Sequence, residues 1–106
     1  GDQYDLIILD PPAFAKHKKV LNNALQGYRK LNAKAFEKIR PGGILFTFSC
    51  SQVVSKENFR LAVFSAAAQS GRNVRILHQL TQPADHPVNI YHPEGEYLKG
   101  LVLYVE

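Results

Sequence analysis

The chain has a single cysteine, Cys50. That excludes an internal disulfide and any metal site built from several thiolates. No apolar run approaches the roughly 20 residues that a membrane-spanning helix needs. The opening residues, "GDQYDL", lack the basic-then-apolar layout of a signal peptide, so the expected location is cytoplasmic. There is no low-complexity tract, no internal repeat and no linker-like stretch, so residues 1–106 read as one cooperative unit. His17, His78 and His92 have no metal-ligand spacing with one another, and no metal is expected. Also lacking is a strand followed by a glycine-rich turn, with an acidic residue about twenty positions later, which dinucleotide-type cofactor sites use. "RPGG" (40–43) follows a helical pattern and precedes a strand, which is the wrong context.

What remains is an ordinary globular balance, 45% hydrophobic and 21% charged. Lys and Arg total 13 against 9 Asp and Glu, for a net charge of +4, which fits a polyanionic partner without requiring one. "YDLIIL" (4–9) is a near-continuous apolar run, as for a parallel strand covered on both faces. Leu21, Leu25, Tyr28, Leu31, Ala35, Phe36 and Ile39 recur at helical steps of three and four, closed by "RPGG". "ILFTFS" (44–49) is a second buried strand. Ser55 caps a second helix, whose apolar side runs Phe59, Ala62, Val63, Ala66 and Ala67 to Gly71. "VRILHQL" (74–80) and "YLKGLVLYV" (97–105) complete a β-α-β-α-β-loop-β order.

Strand–helix–strand alternation predicts parallel pairing with right-handed crossovers. The last connection holds no helical pattern, so the fourth strand is expected antiparallel to the third. The predicted sheet order is first, second, fourth, third. Ligands of open α/β sheets sit beyond the carboxyl ends of the strands, which brings Asp10 and the segment Ser49-Cys50-Ser51 side by side.

Each candidate residue has two readings. Asp10 either accepts hydrogen bonds from a polar ligand or simply starts a turn. Pro11 and Pro12 either hold their carbonyls rigidly toward that ligand or only break the strand. Phe14 is placed to stack on a planar base. Cys50 is either a nucleophilic thiol or a small buried hydrophobe at a strand end. Lys16, Lys18 and Lys19 of "KHKK" contact phosphates or form a solvated basic loop. His86 carries a proton at the rim of the site or holds the shape of a loop. Lys99 reaches toward a polyanionic partner or marks a solvent-facing strand end.

"DPPAF" (10–14) resembles motif IV of the class I S-adenosylmethionine-dependent methyltransferases, where Asp/Asn-Pro-Pro-aromatic holds the target base. "TFSCS" (47–51) resembles the nucleophile motif of the RNA cytosine-5 methyltransferases. With Gly27-Tyr28, "ADHP" (84–87) and "EGEYLKG" (94–100), the sequence is similar across its length to the large-subunit ribosomal RNA cytosine-5 methyltransferase I family. The resemblance implies an α/β fold: the C-terminal half of a Rossmann-like methyltransferase sheet, mixed, with its last strand antiparallel. It implies S-adenosylmethionine as methyl donor, bordered by Asp10 and Pro11. Ribosomal RNA is the implied partner. Cys50 is the implied nucleophile and Asp10 the partner of the base, with Pro11, Pro12, Phe14, Lys16, Lys18, Lys19, Ser49, His86 and Lys99 around the substrate.

The chemistry accounts for the thiol. Carbon 5 of cytosine becomes nucleophilic only once a thiolate has added to carbon 6. One departure stands out. Many RNA cytosine-5 methyltransferases carry a second cysteine after the proline pair to aid product release, and Ala13 occupies that position here.

By the same resemblance the chain starts at the fourth strand of the family's sheet, with the donor-binding half and an upstream RNA-binding domain outside it, and Gly1 as a tag remnant. The 106-residue chain alone is then expected to be inactive, and to self-associate through its first strand. Two other functions compete: methyl transfer to a guanine or adenine nitrogen, which needs no thiol, and a non-catalytic RNA-binding module.

Overall fold

The structure, a computed structural model, describes residues 3–11, 21–51, 53–81 and 98–106. Its elements are β1 (Tyr4–Leu9), α1 (Leu21–Lys38), β2 (Ile39–Ser49), α2 (Lys56–Ser70), β3 (Val74–Leu80) and β4 (Lys99–Val105). The strands form one sheet in the order β1-β2-β4-β3, as the sequence pattern predicts. β1 and β2 are parallel; β4 is antiparallel to both β2 and β3.

The helical periodicity translates directly into packing. Ala24, Tyr28, Asn32, Ala35 and Phe36 fall on one side of α1 and are buried. Phe59, Ala62, Val63 and Ala66 do the same on α2. Ser55 caps α2 by accepting the Asn58 N–H at 3.0 Å, a bond whose loss typically costs ~1 kcal/mol. Gly71 closes the helix by donating its N–H to the Ala68 carbonyl. The Tyr28 and Phe59 rings meet edge to face, 5.6 Å apart and 87° between planes, joining the two helices. Leu45 of β2 and Leu101, Leu103 and Val105 of β4 complete this core.

Three expectations need correction. "RPGG" does not end α1; it lies within β2, which starts at Ile39. Tyr4 pairs with Ile39 while Leu6 pairs with Ile44, so residues 40–43 form an outward bulge, and Gly42 adopts φ +84° there. The end of α1 is met instead by Arg72, whose Nη1 donates to the carbonyls of Phe36 (2.8 Å) and Ile39 (2.9 Å).

Second, β1 is covered on one face only. Ile7 and Leu9 pack against the core, whereas Tyr4, Leu6 and Ile8 are exposed by 49%, 54% and 62%. The reason is that both described helices lie on the face of the sheet that carries Leu45, Leu101 and Leu103. Third, the last strand begins at Lys99, two residues later than the pattern implies. Gly100 is needed beside it, because a Cβ there would come within 2.6 Å of the Phe48 ring on the neighbouring strand.

Candidate active site

The site is built by strand direction. Leu9 pairs with Thr47, so β1 and β2 end at the same edge of the sheet, and Asp10 and Cys50 follow immediately beyond. β4 runs the other way, and its first residue, Lys99, pairs with Ser49 at that edge. Three chemistry-bearing residues from distant parts of the sequence therefore share one rim. Asp10 is exposed, Pro11 and Cys50 are half-buried, and Lys99 is 5% exposed.

The turn carrying Cys50 is held on both flanks. The Ser49 hydroxyl donates to the Tyr28 hydroxyl at 2.9 Å, and the Ser51 N–H donates back to Ser49 Oγ at 3.3 Å. The Ser51 carbonyl accepts from Lys99 Nζ at 2.8 Å and from the Val54 N–H at 3.3 Å. Ser49 and Ser51 are buried with these bonds made, while Cys50 between them is half-buried. A strand end tied to α1 on one side and β4 on the other presents one side chain in a fixed place.

Electrostatics centre on Lys99. Burial pushes its ammonium below the ordinary lysine range, attraction to a Cys50 thiolate works in the opposite sense, and repulsion from Lys56 at the start of α2 adds to the lowering. Lys56 and Arg60, one turn apart on α2, line the same small cleft as Lys99, with Phe59 and Leu80 as its apolar walls.

Two expected substrate contacts are relocated. Ser49 is fully buried, its hydroxyl turned inward to Tyr28, because alternate residues of β2 face the helices. Lys99 is neither a solvent-facing strand end nor exposed toward a ligand; its ammonium is taken by the Ser51 carbonyl. Pro12, Phe14, Lys16, Lys18, Lys19 and His86 lie outside the described residues. Sequence reasoning missed Tyr28 as the partner of the strand end; its signal was a hydroxyl-bearing ring on the buried side of α1. Among the described residues, no group of three or more His, Cys, Asp or Glu is placed to hold a metal ion. No described helix is long and apolar enough to cross a membrane.

No protein-family model matches the chain. Solved structures do. The chain superimposes on SMU.776, a methyltransferase crystallised with SAH, with a TM-score of 0.80 and 25% identity over 98% of this chain and 27% of that one. A second structure, described as a SAM-dependent methyltransferase from Streptococcus mutans, gives a TM-score of 0.78 at 23% identity over 98% of this chain and 26% of that one. The fold is that of the class I methyltransferases.

Among curated proteins, the ribosomal RNA large subunit methyltransferase I of Tolumonas auensis is 48% identical over 103 residues, 97% of this chain and 26% of that protein. The protein of the same name from Cronobacter sakazakii is 44% identical over 105 residues, 99% of this chain and 26% of that protein. The chain is a homologue of the ribosomal RNA large subunit methyltransferase I proteins, and it spans about a quarter of their length.

Proposed function

We propose that the protein carrying this chain methylates carbon 5 of a cytosine in ribosomal RNA, with Cys50 as nucleophile and Asp10 as the group that holds the base. The observation carrying this reading is the shared rim: an exposed aspartate just past β1 and a half-buried cysteine on a doubly tethered turn just past β2. Homology to proteins named as ribosomal RNA methyltransferases supports RNA as the substrate class.

S-adenosylmethionine would supply the methyl group as the electrophilic carbon of a sulfonium, and Asp10 and Pro11 are the residues of this chain that would border it. Asp10 accepts a hydrogen bond from the exocyclic amine of the cytosine, which orients the ring. The Cys50 thiolate adds to carbon 6, and the electron pair of the 5,6 double bond moves to make carbon 5 nucleophilic. After carbon 5 has taken the methyl group, its proton leaves to a base. The electrons of that C–H bond restore the double bond and expel the thiolate. Methyl transfer to a base nitrogen uses no thiol, and the tethering of the Cys50 turn on both sides favours the covalent route. Lys56 and Arg60, beside the turn, are suited to backbone phosphates flanking the target. The isolated chain is further inferred to self-associate through β1, an edge strand with exposed Leu6 and Ile8.

The test is trapping. The full-length protein is incubated with S-adenosylmethionine and RNA containing 5-fluorocytosine, in which carbon 5 cannot lose a proton. A denaturation-resistant adduct that disappears in Cys50→Ala supports the proposal; methylation that survives Cys50→Ala overturns it.

A further inference from the structure

Lys56, Arg60, Phe64 and Ala68 follow one another along α2 at steps of four, so they form a single ridge on that helix. All four are exposed, Phe64 by 67%. Two clefts lie beside this ridge, between α2 and the edge strand β3. The first, at the rim where Lys99 pairs with Ser49, is bounded by Lys56, Arg60 and Lys99 and offers about 40 Å³. The second runs past Arg60 and Phe64 toward Arg72 at the far edge of the sheet and offers about 360 Å³. Arg60 and Leu101 line both clefts, so the two are one groove. The helical rise from Lys56 to Ala68 makes it roughly 18 Å long.

The lining selects among occupants. Lys56, Arg60, Arg72 and Lys99 border the groove, and no Asp or Glu does among the described residues. Arg72 and Lys99 are held by backbone carbonyls, which makes Lys56 and Arg60 the cations of its open lip. A second copy of this chain, paired about a two-fold axis, would set this basic ridge against itself. A polyanion meets no such conflict. The floor under Phe64, made by Val63, Ile76, Leu101 and Leu103, is apolar and suits the face of a base. Neighbours one turn apart on a helix stand roughly 5–6 Å from each other, so a phosphate on Arg60 brings a base within reach of the Phe64 ring.

We propose that this groove is a track for single-stranded RNA leading away from the target nucleotide, with Lys56 and Arg60 on its phosphates and the Phe64 ring as the stacking platform for a base. The proposal rests on RNA as the substrate class and extends that reading; it does not use the chemistry at Cys50. Charge for the backbone and an aromatic face for the bases is the combination by which proteins hold single strands without reading their sequence.

The experiment measures the binding of fluorescein-labelled oligocytidylate to the full-length protein by anisotropy, over a series of salt concentrations. Each side chain changed is exposed, so the fold should tolerate each substitution. In Arg60→Gln the slope of log affinity against log salt is expected to become shallower by about 0.7, the share of one phosphate contact on a single strand. Phe64→Ala is expected to weaken binding roughly 5-fold to 100-fold with the slope unchanged, because stacking releases no ions. Phe64→Trp is expected to restore the affinity. Leu61→Ala removes a comparably exposed apolar side chain of α2 outside the groove, and is expected to alter neither quantity.

Affinity and slope unchanged in both Arg60→Gln and Phe64→Ala overturn the proposal, while RNA binding by the parent keeps the substrate class. A parent protein that binds no RNA sinks both. Unchanged RNA binding together with a lower mass of Phe64→Ala in light scattering gives the groove to a second copy and likewise overturns the proposal. No step of the assay involves Cys50, so a failure of 5-fluorocytosine trapping would sink the cytosine-5 reading alone.

Discussion

Ser49, the last residue of β2, gives its hydroxyl proton to the hydroxyl of Tyr28 on α1 across 2.9 Å, 21 positions away in sequence. That bond joins the strand end bearing Cys50 to a fully buried ring of the first helix. Tyr28 is in turn set edge-on to Phe59, so the site's footing extends into α2.

Tyr28→Phe keeps the ring and deletes the hydroxyl. A buried hydrogen bond lost from one side costs about 1–3 kcal/mol, and this cost should appear as a lower urea midpoint with an unchanged slope. Because the Ser51 N–H also bonds to Ser49 Oγ, amide exchange at Ser51 should accelerate. Unchanged stability and unchanged exchange would remove Tyr28 from the support of the turn.

Asp10→Ala addresses the other half of the rim. Asp10 is exposed, so the variant should melt within a degree or two of the parent protein. Methylation of RNA should fall by about 100-fold if the carboxylate orients the base. Alkylation of Cys50 by iodoacetamide, which needs no base, should persist. Full methylation activity in this variant would discard the assigned role.

Much of this arrangement was readable from residue order. The strand sequence, the antiparallel insertion of β4 and the caps at Ser55 and Gly71 follow from periodicity and turn chemistry, which are local signals. The convergence of Asp10 and Cys50 followed from strand direction. What was not readable depends on which face a side chain takes at an element's end. Ser49 looked like a substrate contact because it neighbours Cys50, yet strand alternation sends it to the opposite side. Lys99 looked like a solvent-facing terminus because lysines usually are. Its burial depends on the Ser51 carbonyl, 48 positions earlier, and no local pattern encodes that. The bulge at residues 40–43 was hidden because Pro-Gly-Gly after a helix normally announces its end.

The pH dependence of stability should carry a Lys99 component. Its ammonium is held below the ordinary value of 10.5, chiefly by burial. Between the lowered folded value and 10.5 the unfolded chain binds more protons than the folded one, so this residue's contribution to stability rises with pH across that window. Below the folded value both states are protonated and the burial penalty is fully present. Comparing urea midpoints of the parent protein and Lys99→Met from neutral pH to pH 10.5 should show a rise specific to the parent. Parallel curves would contradict the assignment.

The isolated 106-residue chain should associate with itself at high concentration. Leu6 and Ile8, 54% and 62% exposed on an edge strand, are the residues to change. In the double variant Leu6→Lys, Ile8→Lys, light scattering should report a lower mass than for the parent chain, since edge lysines discourage strand-to-strand pairing. A parent chain that stays monomeric would refute the inference.

The reversed direction of β4 also decides where an attachment can go. Lys99 starts that strand at the working rim, and Val105 ends it beside Gly43 at the far edge, where Glu106 meets Asn73 and Arg75. A fluorophore or affinity handle carried at the Glu106 end of β4 would sit on the side of the molecule away from the thiol. It should leave the approach to Cys50 clear for a bulky polynucleotide.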